Sequence, residues 1–151
     1  MQFSYEGRTI RINLPDMPAL MTEIARRLHK GEGFALATLN LDHLVKLRSD
    51  PQFRQAYAEQ DLVCADGNPV VWLSRCAGRP VTLVPGSDIV IPLARLAAAE
   101  DAPIALVGST MAALDAAAES LSRAAPGITI AARIAPPMGF DPASPSVGRL
   151  L

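Results

Sequence analysis

A chain of 151 residues is long enough to bury a core of ordinary size without metal or disulfide support, and a single domain is expected. Half of the residues are hydrophobic, only 19% are charged and the formal net charge is -1, so no basic field exists to hold a nucleic-acid backbone and nucleic-acid partners are not expected. Residues 1–6 carry neither a basic start nor an apolar stretch, and no later run is long enough to span a bilayer, so any membrane role is expected to be peripheral.

Phe3 to Tyr5 and Thr9 to Ile12 read as two short strands joined through Glu6-Gly7-Arg8, a hairpin-like opening with glycine at the turn. A helix is predicted from Pro15-Asp16 through Met17, Leu20, Met21, Ile24 and Leu28, spaced to line one face, and Gly31 and Gly33 stop it. Arg26, Arg27 and Lys30 fall near its carboxyl end, where cations suit the helix dipole, and His29 beside them reads as a solvated helix-end histidine.

Phe34 to Leu39 is an apolar run closed by Asn40, followed by helical pattern over Leu41 to Leu47 and Pro51 to Tyr57. At the break between them Asp50 can cap and Pro51 can occupy the first helical position. A second apolar run, Leu62 to Ala65, ends at Asp66 and is released by Gly67. A helical crossover between the two runs requires parallel pairing, so Thr38, Asn40 and Asp66 should project from strand ends toward one edge. In open α/β sheets that edge is where ligands bind. An acid there can be a base, a ligand contact or a cap for the helix that follows.

Asn68 to Ala77 is predicted helical, with Trp72 read as core because apolar residues surround it in sequence. Gly86-Ser87-Asp88 opens the helix Ile89 to Ala99 and supplies a cap and backbone amides, which either hold an anion or simply begin a helix. Pro103 to Val107 is a third parallel strand, turned by Gly108-Ser109-Thr110 into an Ala-rich helix to about Ala124. This turn can cradle a diphosphate, although the three-glycine dinucleotide fingerprint is absent, so a nucleotide is favoured over NAD. Ile128 to Ile134 is a fourth strand, followed by the rigid loop Pro136 to Phe140, and Pro142 to Leu151 starts a helix with Ser144 or Ser146 near its beginning. Cys64 and Cys76 lack metal-ligand spacing; Cys64 lies inside an apolar run and reads as a buried thiol in a reducing cytoplasm.

Thr38-x-Asn40, Asp66-Gly67 with Val71-Trp72 after it, Gly86-Ser87-Asp88, a strand ending in Gly108, and Pro137-x-Gly139-Phe140 together resemble the WecG/TagA/CpsF glycosyltransferases in order and spacing across nearly the whole chain. The resemblance implies a Rossmann-like α/β fold, a mostly parallel sheet flanked by helices with an N-terminal β-hairpin. It implies an inverting, metal-independent enzyme that moves a sugar from a UDP-sugar donor to a lipid diphosphate-linked glycan acceptor in synthesis of teichoic acid, common antigen or exopolysaccharide. By resemblance Asp66 is the catalytic base, and Thr38 and Asn40 line its pocket. Gly67, Asn68, Gly86, Ser87, Asp88, Gly108 and Ser109 are expected to contact substrate. No metal and no cofactor are expected, and the sequence contains no Asp-x-Asp pair of the kind that holds a divalent ion on a sugar nucleotide.

The sequence departs from the family pattern in two places. Thr82 to Pro85 has no basic residue where members commonly carry an arginine before the Gly-Ser-Asp element, and nothing after the Gly-Phe loop matches the family's later strands, Pro-Lys-Gln-Glu element or carboxyl-terminal appendage. A C-terminally incomplete domain is therefore expected, cytoplasmic or at the inner face of the membrane, with membrane contact belonging to the missing segment. Leu150 and Leu151 would leave apolar surface, so self-association is expected. Two other readings stay open: a catalytically silent binding or scaffold remnant of the family, and an unrelated nucleotide-binding module resting on Gly108-Ser109-Thr110.

Overall fold

A computed structural model of the chain describes residues 1–140. The helix expected over 142–151, with Ser144, Ser146, Leu150 and Leu151, lies outside the described residues. The chain divides into two compact units, Met1–Pro92 and a second from Leu93 onward.

The first unit opens with the expected hairpin, β1 (Gln2–Tyr5) antiparallel to β2 (Arg8–Arg11) with Tyr5 opposite Arg8. Its two-residue loop has positive φ at both positions, 44° at Glu6 and 80° at Gly7, as a type I′ turn requires. The buried Arg54 holds that turn from behind, donating to Glu6 Oε2 at 2.6 Å and to the Leu47 carbonyl at 2.7 Å.

Helix α1 (Met17–Lys30) starts on Asp16, whose carboxylate accepts from the Ala19 amide, and ends on Gly31 in the left-handed conformation at φ 64°. Strand β3 (Leu36–Leu39) then leads into α2 (Leu41–Ser49), capped by Asn40, and α3 (Pro51–Ala58), capped by Asp50. Asp50 serves both helices: its backbone ends α2 and its side chain accepts from Phe53 N to begin α3. Strand β4 (Leu62–Ala65) runs parallel to β3, with Leu36 opposite Leu62 and Leu39 opposite Ala65.

All of β4 is buried, and both of its edges are occupied. One faces β3. On the other, the amides of Asn13 and Leu14 donate to the Val63 carbonyl, Asn13 Oδ1 accepts from Val63 N at 2.8 Å, and Val84 N donates to the Ala65 carbonyl. Asn13 Nδ2 also donates to the Asp61 carbonyl at 2.6 Å, so one carboxamide replaces part of a neighbouring strand. Ile10, Ile12, Leu39, Leu44, Leu47, Tyr57, Val63, Val70 and Val71 form the core around this pair. Each such aliphatic side chain taken from water contributes about 1.5–3 kcal/mol.

Helix α4 (Asn68–Cys76) follows β4 and buries Val70, Val71 and Ser74. Trp72 is 59% exposed, which corrects the core reading: the helix turns about 100° per residue, so the neighbour of two buried valines faces outward. Apolar neighbours in sequence are not neighbours on a helix surface. Helix α5 (Gly86–Ala99), with Pro92 inside it, runs through the boundary between the units.

In the second unit β5 (Ile104–Val107) pairs parallel with β6 (Ile130–Ile134), and α6 (Met111–Ala124) connects them, capped by Thr110. The strands thus form an antiparallel hairpin and two parallel pairs with helical crossovers, the mixed α/β class that the sequence indicates. Among the described residues no helix is long and apolar enough to cross a membrane.

Candidate active site

Asp66 follows β4 directly, and its amide donates to the Leu39 carbonyl at 2.9 Å, extending the parallel ladder one residue beyond the strand. Side chains alternate along a strand, so Cys64 and Asp66 share a face, and Thr38, opposite Cys64, is the diagonal neighbour of Asp66. The Thr38 hydroxyl accordingly donates to Asp66 Oδ2 at 3.0 Å. The Gly86 amide, first in α5, approaches the same oxygen at 3.4 Å.

Gly86 therefore brings a helix amino terminus to the carboxylate, where the helix dipole favours negative charge. A Cβ added there would stand 3.6 Å from Thr38 and 3.8 Å from Asp66 Oδ2, in ordinary contact, so a side chain would fit but would lie against the pair. Asp66 does not cap α4. The N-cap of that helix is Gly67, which makes no side-chain cap bond, and its φ of 122° suits glycine alone.

Asn40 also lies at this edge: its Cβ is 3.9 Å from where a Cβ on Gly67 would be. Its carboxamide oxygen is committed to the His43 amide at 2.9 Å as the cap of α2. Asn68 is exposed on the first turn of α4. Ser87 and Asp88 are exposed on the first turn of α5 and bond each other, Ser87 Oγ to Asp88 Oδ1 at 3.1 Å. In the second unit, Gly108 (φ 126°) and Ser109 (φ 52°) make a left-handed turn after β5, and the Gly108 amide donates to the Ile134 carbonyl at 3.0 Å.

Two residues at the first-unit edge escape a reading of the sequence. Tyr57, on α3, donates its hydroxyl to the Thr38 carbonyl at 2.5 Å, and His43 Nδ1, on α2, stands 3.0 Å from that carbonyl and 3.1 Å from the Tyr57 oxygen. Burial pushes the Tyr57 hydroxyl well above the usual phenol range, and the charges of Cys64 and Asp66 add to it. Burial, then the Asp66 charge, pushes the Cys64 thiol up to about 11. Both groups stay protonated at neutral pH, which makes Tyr57 a donor and Cys64 an inert thiol. A signal for Tyr57 was available: a tyrosine on the apolar face of a short helix must find a partner for its hydroxyl.

A groove of about 490 Å³ lies at the opposite, amino end of β4, lined by residues that include Asn13, Glu23, Arg27 and Asp61. Its polar groups are spent on the framework: Glu23 holds Arg27 at 2.8 Å, and Asp61 accepts from the Ala35 amide at 2.9 Å. Among the described residues no cluster of three or more His, Cys, Asp or Glu side chains is arranged to hold a metal ion.

Parallel strands crossed over by helices, with a carboxylate and a hydroxyl meeting at their carboxyl ends, define a mixed α/β protein. A model of the Glycosyl transferase WecG/TagA/CpsF family matches residues 8–149, and the chain belongs to that family. Comparison with curated proteins finds no match. Family membership supports a glycosyltransferase role, with a sugar nucleotide as donor and a glycan as acceptor in general terms.

Proposed function

We propose that the protein is an inverting glycosyltransferase that moves a hexosyl or N-acetylhexosaminyl group from a UDP-sugar to a polyprenyl-diphosphate-linked acceptor in bacterial cell-surface polysaccharide synthesis, working at the inner face of the membrane. The family match supports the reaction class. The observation that carries the assignment of a base is the Thr38–Asp66 bond of 3.0 Å at the end of two parallel strands.

Both hydrogen bonds to the Asp66 carboxylate fall on Oδ2, so Oδ1 is the oxygen that meets the acceptor hydroxyl. As the acceptor oxygen attacks the anomeric carbon, its proton passes to Oδ1. The bond from that carbon to the diphosphate oxygen breaks on the opposite face, and the electron pair leaves with UDP. Thr38 and the Gly86 amide keep the carboxylate from rotating while the proton moves. Asn40, Gly67 and Asn68 are proposed to contact substrate beside the base, and Gly86, Ser87 and Asp88 to do so from the start of α5. Gly108 and Ser109 are proposed as substrate contacts of the second unit.

The test is UDP titration by calorimetry, followed by UDP release from candidate UDP-sugars with and without a lipid-linked acceptor mimic. Acceptor-dependent release should fall by about 10²–10⁴-fold in Asp66→Asn with UDP affinity retained. Wild-type release by Asp66→Asn would overturn Asp66 as base, and UDP binding without release in the unaltered chain would favour the silent remnant.

A further inference from the structure

Thr38 is gripped from behind as well as in front. Along a strand, successive carbonyls point to opposite edges; the Leu39 carbonyl takes the Asp66 amide, so that of Thr38 points off the far edge of β3. There it receives the Tyr57 hydroxyl at 2.5 Å, with His43 Nδ1 at 3.0 Å. Tyr57 has one proton and gives it to Thr38, and a carbonyl only accepts, so Nδ1 must carry a hydrogen to bond either oxygen. The two side chains come from different helices, and Phe53 packs with both: ring centroids are 5.6 Å apart for His43–Phe53, 5.2 Å for Phe53–Tyr57 and 5.6 Å for His43–Tyr57. Asn40 fixes the start of His43's helix through the His43 amide.

One donor would satisfy a strand-edge carbonyl. Two donors from two helices, locked by a third ring, fix the orientation of the Thr38 peptide as well. We propose that Tyr57 and His43 are positioning residues for sugar transfer: by clamping the Thr38 carbonyl they hold the Thr38 hydroxyl on Asp66 Oδ2 and so fix where Oδ1 points. The proposal rests on Asp66 as the base. Small misplacements of such groups are costly, a shift of about 1 Å lowering rates by as much as about 10²-fold.

The experiment uses the full chain. Tyr57→Phe keeps the ring and removes only the donor, and should lower kcat for acceptor-dependent UDP release about tenfold while leaving the donor KM within about twofold. In a Thr38→Val background the same substitution should change kcat by less than about twofold, since the hydroxyl it positions is gone. His43→Asn, which offers a side-chain N–H near the Nδ1 position, should retain most activity, whereas His43→Leu should not. Independently of turnover, three-bond couplings should show one Thr38 side-chain rotamer in the unaltered protein and averaging in Tyr57→Phe. A single Thr38 rotamer in Tyr57→Phe, or a lowered unfolding temperature with unchanged kcat, would overturn the proposal. Should Asp66→Asn abolish transfer while Tyr57→Phe leaves rate and rotamer unchanged, positioning alone fails; should Asp66→Asn transfer normally, the base assignment fails first.

Discussion

Asp66 shows how one side chain can be held through a single carboxylate oxygen. Its bonds to Thr38 and Gly86 converge on Oδ2, and they come from a strand and a helix far apart in sequence. Glu23 is a different kind of acid: bonds from Arg26 and then Arg27 hold its carboxyl down to about 2, below the ordinary value of 4.5. A carboxyl depressed by folding contributes stability that is present above its unfolded pKa and lost as pH falls through the folded one. The unaltered protein should therefore lose stability between about pH 4.5 and 2 more steeply than Glu23→Gln, by a small amount because the three side chains are only partly buried and solvent screens them. Parallel acid unfolding limbs for the two proteins, followed by circular dichroism, would refute this. Asp66 and Thr38 were legible in the sequence because apolar runs mark the strands, and helical crossovers oblige them to run parallel. The meeting of His43 with Tyr57 was not, because what joins them is a backbone carbonyl on a third element, which no spacing along the chain encodes; the sequence signals only that the Tyr57 hydroxyl needs a partner.

At the scale of elements the punctuation was the readable part. Asp16, Asp50, Gly31 and Thr110 stand where caps belong, and each acts as one. Strand lengths were over-read: Phe34 and Ala35 precede β3, and Ile128 and Thr129 precede β6, although the Ala35 and Thr129 carbonyls still accept from Leu62 and Ile104 of the partner strands. The side-chain pairing at the outer edge of β4 was invisible, since Asn13 looks like an ordinary loop residue until its two bonds are seen. Removing it leaves Val63 N and the Asp61 carbonyl without these partners. Asn13→Ala should lower stability by about 1–3 kcal/mol in urea unfolding with little change in the slope. An unchanged midpoint would mean that water replaces the carboxamide.

For the whole molecule the two cysteines offer a built-in gauge of opening. Cys76 is exposed, whereas Cys64 is buried and its thiol is pushed up to about 11. Under native conditions at neutral pH a thiol reagent should modify one cysteine promptly, and the second only as fast as the first unit opens. Prompt modification of both would show that β4 is accessible without such opening. The division into two units was not evident from composition, which shows no linker, and it falls within α5 at Pro92 rather than in a loop. The doubly flanked β4 has a consequence for life in a crowded cell. An open strand edge is a template on which a foreign strand can add and seed aggregation. The strand that leads to Asp66 offers no such template at Val63, where the Asn13 carboxamide takes the amide and the Asn13 and Leu14 backbone amides take the carbonyl. Both edges of β4, the strand that leads to Asp66, are thus closed to other chains.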